Sequence, residues 1–122
     1  MKFIRWILGI IILVVEKVIT PKPIQHDKEK QQRLDAEVQQ YSLYQFRSCP
    51  FCVKVRLKLA RLNLNIELRD AKNDQQHRED LNSQGGQIKV PCLRISDENG
   101  KDQWLYESDD IIRFLEQRVA SA

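Results

Sequence analysis

The feature that most constrains this chain is a Cys-x-x-Cys placed where an apolar run gives way to a helical pattern: Cys49-Pro50-Phe51-Cys52. The preceding run, Tyr41 to Phe46, reads as a buried strand, and the residues after the motif keep helical spacing to about Leu62. Proline at the second position of the motif suits the first turn of a helix. An amide hydrogen there has no carbonyl to bond, and proline's φ is already helical. Cys49 therefore falls where unpaired helix N–H groups converge. Those donors and the helix dipole favour an anion, so this thiol is expected to give up its proton more readily than a free one. Cys52, one turn deeper, is expected to stay protonated. The asymmetry makes Cys49 the attacking sulfur and Cys52 the resolving one.

Two cysteines at this spacing also suit half of a zinc site. Zinc needs four ligands, and Cys92, His26 and His77 form no second paired motif, so no metal is expected. Three cysteines without a cleavable-looking signal argue for a reducing compartment rather than a disulfide-stapled secreted fold. The net charge of +3 is spread thinly: residues 1–40 carry seven Lys/Arg against five Asp/Glu, and residues 41–122 thirteen against twelve. No basic stripe interleaved with aromatics is present, which excludes nucleic acid as a partner.

Phe3 to Ile19 is apolar, without interruption from Trp6 to Val15. Seventeen residues of helix reach ~26 Å, just short of the ~30 Å hydrocarbon layer, with Arg5 and Lys17 able to snorkel at the ends. The expectation is an uncleaved membrane anchor over residues 1–20. A signal peptide, or a helix docked on the protein itself, are the competing readings, and no small-x-small cleavage site follows Val14-Val15-Glu16. Lys17, Lys22, Lys28, Lys30 and Arg33 follow the segment, so the positive-inside bias places the rest of the chain on the cytoplasmic side of the membrane. Thr20-Pro21-Lys22-Pro23 is a stiff break. Residues 21–40 then read as a polar linker and spacer helix, with Leu34 and Val38 as its one apolar pair and His26 solvated.

From Tyr41 onward the pattern becomes that of a globular domain, residues 41–122. After the first strand and the cysteine helix, Ile66 to Asp70 alternates as a second strand, parallel to the first because a helix connects them. Asp74 to Gln84 is a polar helix ended by Gly85-Gly86, with His77 expected to be exposed. Lys89 to Ser96 and Gln103 to Tyr106 read as strands around the Asn99-Gly100 turn, and Ser108 as the cap of a last helix over Asp109 to Val119.

This order, with Cys-x-x-Cys opening the first helix of the domain, resembles the thioredoxin-like fold: an α/β domain with a mixed four-stranded sheet and flanking helices, here preceded by the hydrophobic helix. Cys49-Pro50-Phe51-Cys52, Lys89-Val90-Pro91 and Glu107-Ser108-Asp109-Asp110-Ile111 narrow the resemblance to the glutaredoxin branch, which includes the N-terminal domains of glutathione transferases. The resemblance implies a glutathione-dependent thiol-disulfide oxidoreductase acting on protein disulfides or glutathionylated proteins, with Cys49 and Cys52 catalytic and glutathione as co-substrate. It implies that the Val90–Pro91 bond is cis and that Val90 pairs its backbone with the cysteinyl part of glutathione, with Pro91 shaping the groove. Glu107, Ser108 and Asp109 would hold the γ-glutamyl end at a helix N-terminus. Phe51 stands where many glutaredoxins carry tyrosine, and Phe46 where they carry lysine. Arg47 would supply the charge for the glycyl carboxylate. Cys92, directly after the proline, is expected to be buried by strand alternation. Two other uses of such a domain are a glutathione transferase or isomerase, and a module that holds an iron-sulfur cluster between two protomers.

Overall fold

A computed structural model describes residues 2–122. The chain forms α1 (Lys2–Ile19), α2 (Lys28–Val38), β1 (Tyr41–Gln45), α3 (Pro50–Leu62), β2 (Glu67–Asp70), α4 (Gln75–Ser83), β3 (Cys92–Ile95), β4 (Gln103–Leu105) and α5 (Ser108–Ser121). The four strands make one mixed sheet in the order β2-β1-β3-β4, with β1 parallel to β2 and antiparallel to β3, and β3 antiparallel to β4. The expected α/β architecture is present. The third strand starts only at Cys92, because Pro91 has no N–H for a ladder; the Val90–Pro91 bond is cis, as the resemblance implied.

β1 is buried along its whole length, so its period-two alternation sorts side chains between two cores rather than between core and water. Tyr41 and Leu43 join Val55, Leu59 and Leu62 of α3 and Ile111, Leu115 and Val119 of α5 on one face. Tyr44 joins Cys92, Ala71 and Leu81 on the other, under α4. Cys92 is fully buried in this second core, as alternation predicted.

Residues 21–40 depart from the expected tether. Leu34 and Val38 are 1% and 4% exposed within the main core, and α2 is capped by the Asp27 carboxylate on the Lys30 N–H. His26 Nε2 donates to the Leu62 carbonyl at 2.9 Å, and the Ile24 N–H donates to the Arg61 carbonyl at 2.8 Å. A single apolar pair one turn apart sufficed to dock the helix, because the α3–α5 face offered an apolar surface that the spacer itself did not reveal. Asn63 ends α3 in the left-handed conformation, φ 57°, which asparagine adopts more readily than most residues.

The membrane anchor, and with it the placement on the cytoplasmic side of a membrane, is overturned. Among the described residues no helix is long and apolar enough to cross a membrane. The 18 residues of α1 include Lys2, Arg5, Glu16 and Lys17. Glu16 turns inward to Arg56 of α3 in an ion pair whose side chains are only 20% and 10% exposed. Of the three readings of this segment, the structure shows the helix docked on the protein itself.

Candidate active site

The loop from Phe46 to Ser48 delivers Cys49 to the N-cap position of α3, with extended backbone (φ −79°, ψ 126°) and no side-chain bond to the helix. Its N–H donates to the Phe46 carbonyl at 3.2 Å, and its own carbonyl accepts from Val53 at 2.9 Å, closing the first turn. Cys49 makes no side-chain bond to the cap, so the first-turn N–H groups of α3 have no side-chain acceptor from it. Cys49 is half-buried, Cys52 is wholly buried, and all three cysteines are free thiols.

Burial pushes the Cys52 thiol up to about 12, against a hydrogen bond from the Phe46 N–H at 3.5 Å; the Cys49 thiol beside it adds to the rise and the Arg56 charge opposes it. Cys92 is likewise pushed up to about 12 by burial, partly offset by a hydrogen bond with the Tyr106 hydroxyl. Cys49 is thus the one thiol of the three with access to solvent.

The residues assigned to glutathione stand around the starts of β3 and of α5, except for Phe51 on α3 and Arg47, which is alone. Val90 and Pro91 stand before β3, Val90 half-buried beside Phe46, Trp104 and Tyr106, and Pro91 buried. Glu107 is the N-cap of α5, so Ser108 begins the helix and is not its cap, and no side chain caps this helix. Both acids there already have partners: Glu107 accepts from Lys89 at 2.8 Å, and Asp109 from Lys54 at 2.5 Å, which holds its carboxyl below the usual range. Phe51 is 60% exposed on α3. Arg47 lines a cleft of about 570 Å³ between α1 and the β1–β2 edge with Ile10, Leu13, Gln45 and Leu68. Two ion pairs, Lys54 with Asp109 and Lys89 with Glu107, tie α3 and the residue before Val90 to the start of α5. Arg47 stands apart from them.

Lys54 and Lys89 escaped the sequence reading, as did Arg56 and Glu16. Lys89 and Glu107 belong to two motifs that were read separately, and opposite charges at their edges were the available signal. For Lys54 with Asp109, 55 residues apart, and Arg56 with Glu16, 40 apart, the sequence held none. Outside the site, His77 is half-buried against the Tyr44 ring rather than exposed.

Residues 43–122 match the family model described as glutathione S-transferase, N-terminal domain. The chain belongs to this family. The transferase-type domain so defined starts inside β1, and α1 and α2 precede the matched residues. The crystal structure of a wheat glutaredoxin shares the fold, with a TM-score of 0.51 at 21% identity over 80% of this chain and 97% of that one. No curated protein matches the chain. The family match and the shared fold agree with the thioredoxin-like α/β architecture of the sheet and its helices.

Proposed function

We propose that this glutathione S-transferase-type domain is a glutathione-dependent thiol-disulfide oxidoreductase of the glutaredoxin kind. The observation that carries the reading is the pairing of a solvent-accessible Cys49, at an uncapped helix start, with a buried Cys52 one turn on. In the first step the Cys49 thiolate attacks the glutathionyl sulfur of a protein mixed disulfide, the protein thiolate leaves, and Cys49 carries glutathione. A second glutathione thiolate attacks that sulfur, releasing glutathione disulfide and restoring Cys49. For a protein disulfide, Cys52 attacks the Cys49 mixed disulfide, the substrate thiol leaves, and two glutathiones reduce the Cys49–Cys52 bond.

Glutathione would lie from Cys49 across Val90 and Pro91 to the N-terminus of α5. The free N–H groups of Ser108 and Asp109 suit its α-carboxylate, and Glu107 or Asp109 its ammonium, exchanging Lys89 or Lys54 for the ligand. Phe51 would cover the exposed side, and Arg47 reaches the site only by swinging out of its cleft. The test is reduction of a glutathione mixed disulfide, with Cys49→Ser inactive and Cys52→Ser retaining this activity while losing protein-disulfide reduction. A Cys49→Ser variant as fast as the natural chain refutes the proposal.

A second reading has its own support. A cavity of about 670 Å³ opens beside Pro50, lined by Val53, Leu57 and Ile112 with Ile19 and Pro21. An apolar electrophile held there would lie next to bound glutathione, as a transferase requires. Conjugation at a rate unaffected by Cys52→Ser would favour this reading over the redox one.

A further inference from the structure

Arg56 is a charged side chain that the dithiol chemistry does not itself use, and it is one of the most heavily bonded in the fold. Its side chain is 10% exposed. Its Nε and Nη2 donate to the two carboxylate oxygens of Glu16, each at 2.8 Å, in the bidentate geometry that guanidinium suits best. The remaining hydrogen bonds all go to the segment that leads into Cys49. Nη2 donates to the Arg47 carbonyl at 2.7 Å, and Nη1 to the Gln45 side-chain oxygen and, at 3.5 Å, to the Phe46 carbonyl.

Phe46 is the hub of this arrangement. Its carbonyl receives the Cys49 N–H as well as Arg56, and its own N–H donates to the Cys52 sulfur. One peptide residue therefore touches both cysteines and the guanidinium. A shift of Arg56 by a fraction of an ångström is passed to the residue that sets the height of Cys49 on the helix and the hydrogen bond on Cys52. The loop carries no proline before Cys49 and no side-chain cap to hold it otherwise.

The same contact brings α1 into the site. Glu16 is the counter-ion of Arg56, and seven residues earlier Gly9 passes Ser48 so closely that a Cβ there would lie 3.2 Å from the Ser48 hydroxyl oxygen. Two points of α1 thus bracket the loop that ends in Cys49. A buried guanidinium with its carboxylate removed retains its charge and loses its orientation, so the pair acts as a unit.

We infer that Arg56 is a positioning residue for the Cys49–Cys52 pair, locked against the catalytic loop by Glu16, so that α1 is part of the active-site scaffold. The inference rests on the proposed redox reading and concerns how that site is built. The charged or titratable groups that surround Arg56 are Glu16 and Lys17 from α1, Arg47 from the loop, and Cys52 from its own helix.

The experiment uses the full chain and follows the iodoacetamide reaction of Cys49 by mass across a pH series, together with mixed-disulfide reduction. Arg56→Met is expected to displace the alkylation profile toward higher pH, with the rate at about pH 6 down about tenfold, and to slow reduction by a similar factor. Arg56→Lys recovers part of both. Glu16→Gln moves the profile the same way by about threefold in rate and adds nothing once Arg56 is methionine, the non-additivity expected of two groups acting as one. Arg118→Gln, which removes the ion pair with Glu37 at the far end of α5, gauges a merely structural loss and should leave the profile in place. If Arg56→Met does not fold, Glu16→Gln and Arg56→Lys decide. A natural chain with a fast Cys49 and variants that share its profile overturns the inference alone. A natural chain whose Cys49 reacts no faster than in the unfolded state overturns the redox proposal itself.

Discussion

Selective alkylation turns the burial of two sulfurs into a number. Cys52 and Cys92 are both 0% exposed, and burial pushes each thiol up to about 12. At pH 7 such a thiol is ionised about once in 10⁵ molecules, against roughly 3% for an ordinary cysteine near 8.5, a deficit of about 3,000-fold. A more basic thiolate is a better nucleophile, and a Brønsted slope of about 0.45 over the difference returns roughly 40-fold. The net expectation is that each buried thiol reacts about 100-fold more slowly than an ordinary one, before the reagent's access is considered. Limiting iodoacetamide on the folded chain should thus give one adduct, mapped by peptide mass to Cys49, while the chain unfolded in guanidinium acquires three at similar rates. Adducts on Cys52 or Cys92 appearing in parallel with Cys49 would refute the burial argument and the division of labour built on it.

The same shifts bear on alkaline stability. A thiol held neutral in the fold but ionising near 9.0 when unfolded contributes stability that is fully present below 9 and lost as pH rises toward 12. Between pH 8 and 10 the loss is about 1.4 kcal/mol per thiol, so urea unfolding of Cys92→Ala should show a pH dependence flatter by about that amount. Leu34→Ala should cost about 2–5 kcal/mol in the same assay, since Leu34 is 1% exposed in the main core; an effect below 0.5 kcal/mol would mean that α2 is a free spacer after all. A Cβ on Gly85 would lie 2.3 Å from the Tyr106 hydroxyl and 2.7 Å from the Leu81 carbonyl, so Gly85→Ala should destabilise by about 1–3 kcal/mol, read as a lowered Tm.

Several features of the molecule were determined by neighbouring residues alone, and these were legible in the sequence. The Cys49-Pro50-Phe51-Cys52 run carries its own helix start, because proline's fixed φ and the unpaired first-turn amides act within one turn. The alternation of β3 decided that Cys92 is buried, and the strand-helix-strand order decided that β1 and β2 run parallel. Burial along both faces of a strand and helical periodicity are local signals that tertiary packing had only to accept.

Only the tertiary structure decided what the first 40 residues do. An apolar run of this length is compatible with a bilayer, a cleavage signal or a protein surface, and what separates these is where Glu16 finds its counter-ion. That partner lies 40 residues away on α3, and no spacing rule links the two. The same holds for Lys54 with Asp109, and for Leu34 and Val38 within the main core. Hydrophobic burial and charge pairing depend on which surfaces meet in space, and the fold brings together residues whose separation along the chain carries no trace of the meeting.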